Sequence, residues 1–220
     1  MATSLTSPRA ILLDLDGTLA DSLEVMRLAY QQFLEGFQVQ GTDDEFASLN
    51  GPPLHEVVRR LKANHSLAGD TDALTAKYFH IIDQLYDGVA PSPGARELLT
   101  KAKEHGCRVC IVTSNSTKRT RAWLALVGLE QCVDFIVSGD EVTFGKPHPE
   151  PYLLATQRVD CPITGIVAVE DSIQGAESAI GAGLKTYLVT HLNKAPSVVI
   201  GVMPVRSLGC LVNDLWAQSK

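Results

Sequence analysis

The sequence predicts an α/β fold in which a parallel-sheet core is interrupted by an all-helical segment. Three observations predict it. After residue 90, short apolar runs at 108–112, 135–137, 165–169 and 186–189 alternate with helix-period patterns, which implies parallel strands and right-handed crossovers. From about 21 to 87, helix-period patterns follow one another with no strand between them. Polar clusters fall at the carboxyl ends of the apolar runs, where parallel α/β sheets place their ligand sites.

Size and charge narrow the function classes. The 220 residues suffice for one large domain or a core with a smaller module. Hydrophobic residues make up 45% and charged residues 20%, and the formal net charge of −6 supplies no attraction for nucleic acid or an anionic membrane. An anionic substrate would therefore be drawn by local cations. Met1–Ala10 is polar and the apolar run behind it is broken by Asp14, so no secretory signal is expected. No stretch approaches the ~20 apolar residues of a membrane span. Five cysteines, 107, 110, 132, 161 and 210, form no disulfide framework and suit a reducing cytoplasm. Cys107 and Cys110 match C-x-x-C at the start of a strand-like run, where i and i+3 point to opposite faces, so they are not expected to act as a pair. A monomer or weak homodimer is expected.

The elements follow in order. Ile11–Leu13 reads as a short buried strand, and Asp14-Leu15-Asp16-Gly17-Thr18 ends it. Met26, Tyr30, Phe33 and Phe37 recur at helical spacing. Gly41–Asp44 supplies a turn and N-cap for a short helix. Beyond Asn50-Gly51-Pro52-Pro53, the residues Leu54, Val57, Val58 and Leu61 mark a third helix; beyond Ala68–Asp70, Leu74, Tyr78, Ile81, Ile82 and Leu85 mark a fourth. Pro91–Gly94 reads as a hinge. Ala95, Leu98, Leu99 and Ala102 then form a helix that Gly106 closes. The strand at Arg108–Val112 ends in Thr113–Ser116, a helix runs through Trp123, and Pro151 suits the first turn of the helix after the Gly145–Pro149 loop. Gly165–Val169 leads into Glu170-Asp171-Ser172, and Ile173, Ala176 and Ile180 give the next helix. After the strand at Thr186–Val189 the tail is less legible, with a terminal helix suggested by Leu208, Leu211, Val212 and Leu215.

Asp14 and Asp16 pose the central electrostatic question. Two unit charges ~4 Å apart at an effective dielectric of ~20 repel by about 4 kcal/mol. The pair needs a cation, a shared proton, or a bend that separates it. Asp14 and Asp171 are hard oxygen ligands without a His/Cys set beside them, which suits Mg²⁺. Ser114 and Asn115 would hold phosphate oxygens near a helix N-terminus, and Lys146 adds a positive charge opposite that phosphate. Asp14 would then attack phosphorus, while Asp16 protonates the leaving oxygen and later activates water, a role worth roughly 10²–10⁴-fold. Thr18 and Ser172 are expected to hold the carboxylates by hydrogen bonds. In the helical segment, Asn50, His55 and Lys77 are candidates for contact with the rest of the substrate; for Lys77, as for Arg59 and Arg60, a solvated helix face is the simpler account.

These four stretches together resemble the haloacid dehalogenase (HAD) superfamily over nearly the whole chain. Asp14-Leu15-Asp16-Gly17-Thr18 matches its D-x-D-G-T signature, Ser114 its strand-terminal Ser/Thr, Lys146-Pro147 its lysine loop and Glu170-Asp171 its acidic pair. The resemblance implies a Rossmann-like core at 1–20 and 91–220 with an α-helical cap at 21–90. It also implies phosphorylation of Asp14, Mg²⁺ bound by Asp14, Asp171 and the Asp16 backbone carbonyl, and Glu170 as a supporting or occasional ligand. Asp16 argues against a true dehalogenase, because a halide needs no protonation. The implied activity is hydrolysis of a small phosphorylated metabolite, a sugar phosphate or a phosphoglycolate-like ester, with the Asn50–His55 loop resembling phosphatase caps. A beta-phosphoglucomutase-like phosphomutase is the alternative, and a non-catalytic phosphometabolite-binding protein a further one.

Overall fold

A computed structural model of the chain describes residues 7–190 and 200–216. Strand β1 (Ala10–Leu13) is wholly buried because it lies mid-sheet, paired in parallel with β2 (Arg108–Val112) on one side and β4 (Ile166–Glu170) on the other. β3 (Phe135–Val137) extends the sheet beyond β2, while β5 (Lys185–Val189) and β6 (Val202–Val205) extend it beyond β4. The order is β3-β2-β1-β4-β5-β6, with every pairing parallel.

The two-residue period of the strands divides the core. Ile11, Leu13, Val109, Ile111, Val167 and Val169 join one buried cluster; Ala10, Leu12, Cys110, Val112, Ile166 and Ala168 join the other. Cys107 and Cys110 fall in different clusters and all five cysteines are free, as the strand spacing predicts. The second cluster is covered by α7 (Glu150–Val159) and α8 (Ile173–Gly181). The first is covered by α5 (Ala95–Glu104), α6 (Thr117–Leu126) and the terminal α9 (Leu208–Trp216), with α9 packed on α5.

Four helices occupy the chain between β1 and α5: α1 (Leu23–Glu35), α2 (Asp43–Ser48), α3 (Leu54–His65) and α4 (Thr71–Tyr86). Their apolar stripes face one another, with Phe33 of α1 stacked on Tyr78 of α4 at 4.7 Å between ring centroids. Thr42 caps α2 by accepting from the Glu45 backbone N–H at 3.1 Å, and Asp70 caps α4 by accepting from Asp72 and Ala73. The chain enters and leaves this helical segment side by side: Asp21 N–H donates to Ala90 at 2.9 Å, and Ser92 N–H donates to Leu19 at 2.8 Å.

Differences from the sequence reading concern the sheet, where β1 and β5 each begin one residue earlier than expected, at Ala10 and Lys185. The fourth strand starts and ends one residue later than expected, so Glu170 is its last residue and is itself fully buried. β6 was not expected, the tail beyond the fifth strand being less legible in sequence; Val202-Met203-Pro204-Val205 contains a proline, and only Val205 of it is buried. At the sheet edge Pro204 needs no outward N–H partner, so the strand tolerates it. The expected terminal helix is present as α9.

Candidate active site

The carboxyl ends of β1, β2 and β4 converge with the loop before α7. Asp14 directly follows β1 and continues its ladder, its N–H donating to Val169 at 3.0 Å. Its Oδ1 accepts from Lys146 Nζ at 2.6 Å; its Oδ2 is buried with no hydrogen-bond partner among the described residues. Asp16 has left the strand in a tight turn closed by Gly17 N–H to Ala20 at 2.9 Å and Ala20 N–H to Leu15 at 2.8 Å. The two aspartates therefore share no strand face: the bend separates them. Gly17 is required twice. Its φ of +86° disfavours any side chain, and a Cβ there would lie 2.2 Å from Asp171 Oδ2.

Asp16 is held by three donors. Ser22 Oγ (2.8 Å) and Tyr86 OH (2.6 Å) both donate to Oδ1, and Asn115 Nδ2 donates to Oδ2 at 3.1 Å. Tyr86 lies on α4, so the helical segment itself orients this carboxylate. A second tie runs through Arg119 of α6. Its Nε and Nη2 donate to Asp83 of α4 at 2.8 and 2.6 Å, its Nη1 donates to Asn115 Oδ1 at 2.8 Å, and its guanidinium lies 4.0 Å from the Phe79 ring centroid.

Lys146 is almost wholly buried and fully subscribed: Nζ donates to Asp14 Oδ1, to the Val112 carbonyl at 2.9 Å and to Glu170 Oε1 at 2.5 Å. Glu170 also accepts from Tyr152 OH at 2.7 Å and from Ser172 Oγ at 3.3 Å. Ser172 is the N-cap of α8, accepting from Gly175 N–H at 3.0 Å. Gly175 lets that first turn meet the carboxylate, since a Cβ there would lie 2.1 Å from Glu170. Burial works against the Lys146 ammonium, yet Asp14 and Glu170 overcome it and hold its pKa above the ordinary lysine value.

The acidic groups shift upward as well, which favours their neutral forms. Burial raises Asp14 well above the usual carboxylate range; Lys146 counters this, and Glu170 and Asp171 reinforce it. Burial and then the Glu170 charge push Asp171 up to about 7. Oxygen atoms of Asp14, Glu170 and Asp171 lie within 4.8 Å of one another. This crowding of acidic oxygens, with one Asp14 oxygen buried and unpartnered, fits a hard divalent cation.

Other expected residues are placed less directly. Ser114 is at the cleft, but its Oγ donates to the Gly51 carbonyl at 2.5 Å, so α6's approach and the Asn50–Pro53 loop are tied together there. Asn50 lines the same cleft. Thr18, expected to hold a carboxylate, has a buried Oγ1 without a partner among the described residues. Lys77 lies over Phe37, 4.3 Å from its ring centroid, and does not line the cleft. His55 is exposed in a separate groove with Arg60 and His148. Sequence reasoning did not single out Ser22, Tyr86, Asp83, Arg119 or Tyr152. Phe79, Ile82, Asp83 and Tyr86 do follow the i, i+3, i+4, i+7 spacing of one helix face, which was a legible signal.

The sequence profile of the haloacid dehalogenase-like hydrolases matches residues 11–189. The chain belongs to this family. A phosphorylated carbohydrates phosphatase from Thermotoga maritima is 29% identical over 187 residues, spanning 83% of this chain and 85% of that protein. Protein CbbY of Rhodobacter capsulatus is 34% identical over 194 residues, spanning 82% and 84%. Among solved structures, CbbY from Rhodobacter sphaeroides in complex with phosphate aligns with a TM-score of 0.80 at 26% identity, covering 93% of this chain and 96% of that one. As a haloacid dehalogenase-like hydrolase, this chain is an enzyme whose acidic cluster lies at the carboxyl edge of the parallel sheet.

Proposed function

We propose that this hydrolase is a cytoplasmic Mg²⁺-dependent phosphatase acting on a small phosphate monoester, a sugar phosphate or a phosphoglycolate-like compound, with α1–α4 as its cap. The observation that carries the reading is the division of labour between Asp14 and Asp16. Asp14 keeps one oxygen on Lys146 and one without a partner among the described residues, while Asp16 is turned away and held by Ser22, Tyr86 and Asn115. An Asp14 oxygen attacks phosphorus as the bond to the leaving oxygen breaks, giving an aspartyl-phosphate. Asp16 delivers its proton to that leaving oxygen. It then takes a proton from water, whose oxygen attacks phosphorus and breaks the bond to Asp14, releasing inorganic phosphate.

Lys146 lies against Asp14 and would neutralise part of the anionic phosphoryl group. Ser114 would exchange the Gly51 carbonyl for a phosphate oxygen, and Asn115 would keep Asp16 in place beside it. Mg²⁺ held by Asp14, Asp171 and the Asp16 backbone carbonyl, with Glu170 behind them, would supply charge neutralisation and orientation. All five cysteines are free, which supports the cytoplasmic assignment.

Phosphate release from hexose phosphates and phosphoglycolate, measured with Mg²⁺ and with chelator, tests the reading. Mg²⁺-dependent, stoichiometric phosphate release is expected. A requirement for a sugar-bisphosphate activator, with isomerised product and little free phosphate, would instead establish a phosphomutase.

Proton linkage gives an independent check on the metal. Below the ordinary carboxylate range, Asp14 and Asp171 are protonated whether the chain is folded or not. Between the ordinary carboxylate value, where the unfolded chain ionises, and the raised folded values, about 7 for Asp171, the fold keeps protons that the unfolded chain has released, so this stability contribution is lost as pH rises through that window. A bound cation offsets that charge. The Mg²⁺-induced rise in Tm is therefore expected to be larger at pH 8 than at pH 5.5, with protons released on binding near pH 6. Equal shifts at both pH values would remove the metal from this cluster.

A further inference from the structure

The cleft beside Asp14 and Asp16 has a volume of about 110 Å³ and is partly open to solvent. Its cap side is apolar, formed chiefly by Met26, Phe46, Leu54, Tyr78, Phe79 and Ile82. Among the described residues the charged side chains lining it are Asp14, Asp16, Asp171 and Arg119. Arg119 is therefore the one cation on this wall, and it is already committed: Asp83, Asn115 and the Phe79 carbonyl occupy its Nε, Nη1 and Nη2. Lys146 lies at the phosphoryl end, against Asp14, Glu170 and Val112, and does not line this wall. His55, Arg60 and His148 belong to the other groove, where Pro53 packs against Gly145, and none of them lines the cleft.

A second anionic group on the substrate would thus meet an apolar wall on which, among the described residues, no uncommitted side-chain cation lies. Burying an unpaired charge in such a place is strongly unfavourable. An uncharged leaving group meets the opposite situation. The hydrophobic face of a sugar ring, a polyol chain or an aromatic alcohol can pack on Phe79, Phe46 and Met26, while Asn50, which also lines the cleft, offers a polar group to a hydroxyl. We infer that the cleft selects phosphate monoesters of uncharged alcohols and rejects bisphosphates and phospho-carboxylates such as phosphoglycolate. The inference rests on the phosphatase reading above and narrows its substrate class.

The test compares kcat/KM for glucose 6-phosphate and benzyl phosphate with that for fructose 1,6-bisphosphate and phosphoglycolate, using the full chain with Mg²⁺. At least one ester with an uncharged leaving group is expected to be favoured by about tenfold or more over both compounds that carry a second anionic group. Met26→Lys places a flexible cation on the apolar wall and should shrink or invert that ratio; Met26→Leu keeps the wall apolar and should leave it unchanged. Thermal melts of both variants establish that they fold. Turnover that needs Asp14 yet favours the compounds with a second anionic group, or a ratio that Met26→Lys does not move, overturns this inference and leaves the phosphatase reading standing. Absence of turnover on all four esters overturns both.

Discussion

Asp14→Asn is expected to lower phosphate release by on the order of 10⁴-fold or more, the scale on which nucleophile removal acts, while leaving the fold intact. The substitution keeps the side chain's size and removes a charge that burial already disfavours. Lys146 loses the Asp14 charge but keeps Glu170 and the Val112 carbonyl, so the buried ammonium remains paired. In the absence of metal the variant should melt at or above the wild-type temperature, because one of the carboxylates crowded near Glu170 and Asp171 is gone. With Mg²⁺ the order should reverse, since the variant has lost a ligand. Steady-state phosphate release and paired thermal melts check both parts. A variant that retains a tenth of wild-type turnover would exclude Asp14 as the nucleophile.

The same residues show why part of this site was legible in the sequence and part was not. β1, β2, β4 and β5 are short apolar runs buried at the sheet centre, so period and length sufficed. β6 is an edge strand with a proline, and only its pairing to β5 makes it a strand at all. Asp14, Glu170 and Asp171 stood out because carboxylates at the ends of apolar runs are chemically conspicuous, and Lys146 because it stands in the Gly145–Pro149 loop that matches the family's lysine loop. The groups that orient Asp16 looked ordinary. Ser22 reads as a helix N-cap, and it occupies that position on α1, yet its hydroxyl makes no cap bond and is given to Asp16. Tyr86 reads as one more apolar residue of α4, but its hydroxyl crosses 70 positions of sequence to the same carboxylate. Arg119 reads as a surface charge beside Lys118 and Arg121; the approach of α4 buries it. Each of these depends on where the helical segment lies over the sheet, which periodicity within one element does not encode. Thr18 is the converse case. Its place in the signature suggested a carboxylate contact, and the tight turn leaves its hydroxyl buried without one.

That dependence on three-dimensional pairing is greatest at Lys146, where Lys146→Met is expected to have the largest effect on stability. Methionine has similar length, so the loss is electrostatic rather than a cavity. Asp14 Oδ1, Glu170 Oε1 and the Val112 carbonyl would each lose a donor in a site where Glu170 is fully buried. Tyr152 and Ser172 still donate to Glu170, but neither carries charge. Breaking one partner out of a buried ionic cluster costs about 3–5 kcal/mol, which for a chain of this size is a fall in Tm of about 6–20 °C. The sign with pH follows from the carboxylates left behind. Freed of the ammonium that counters its burial, Asp14 resists ionisation more strongly, so the variant should be nearest to wild type at low pH and lose ground as pH rises. Melts of wild type and variant across pH 5 to 8 measure this difference directly. A constant gap across that range would mean the lysine acts through packing. A gap that widens with pH, together with weakened inhibition by inorganic phosphate, would show one ammonium serving both to hold the carboxylates together and to receive the substrate's charge.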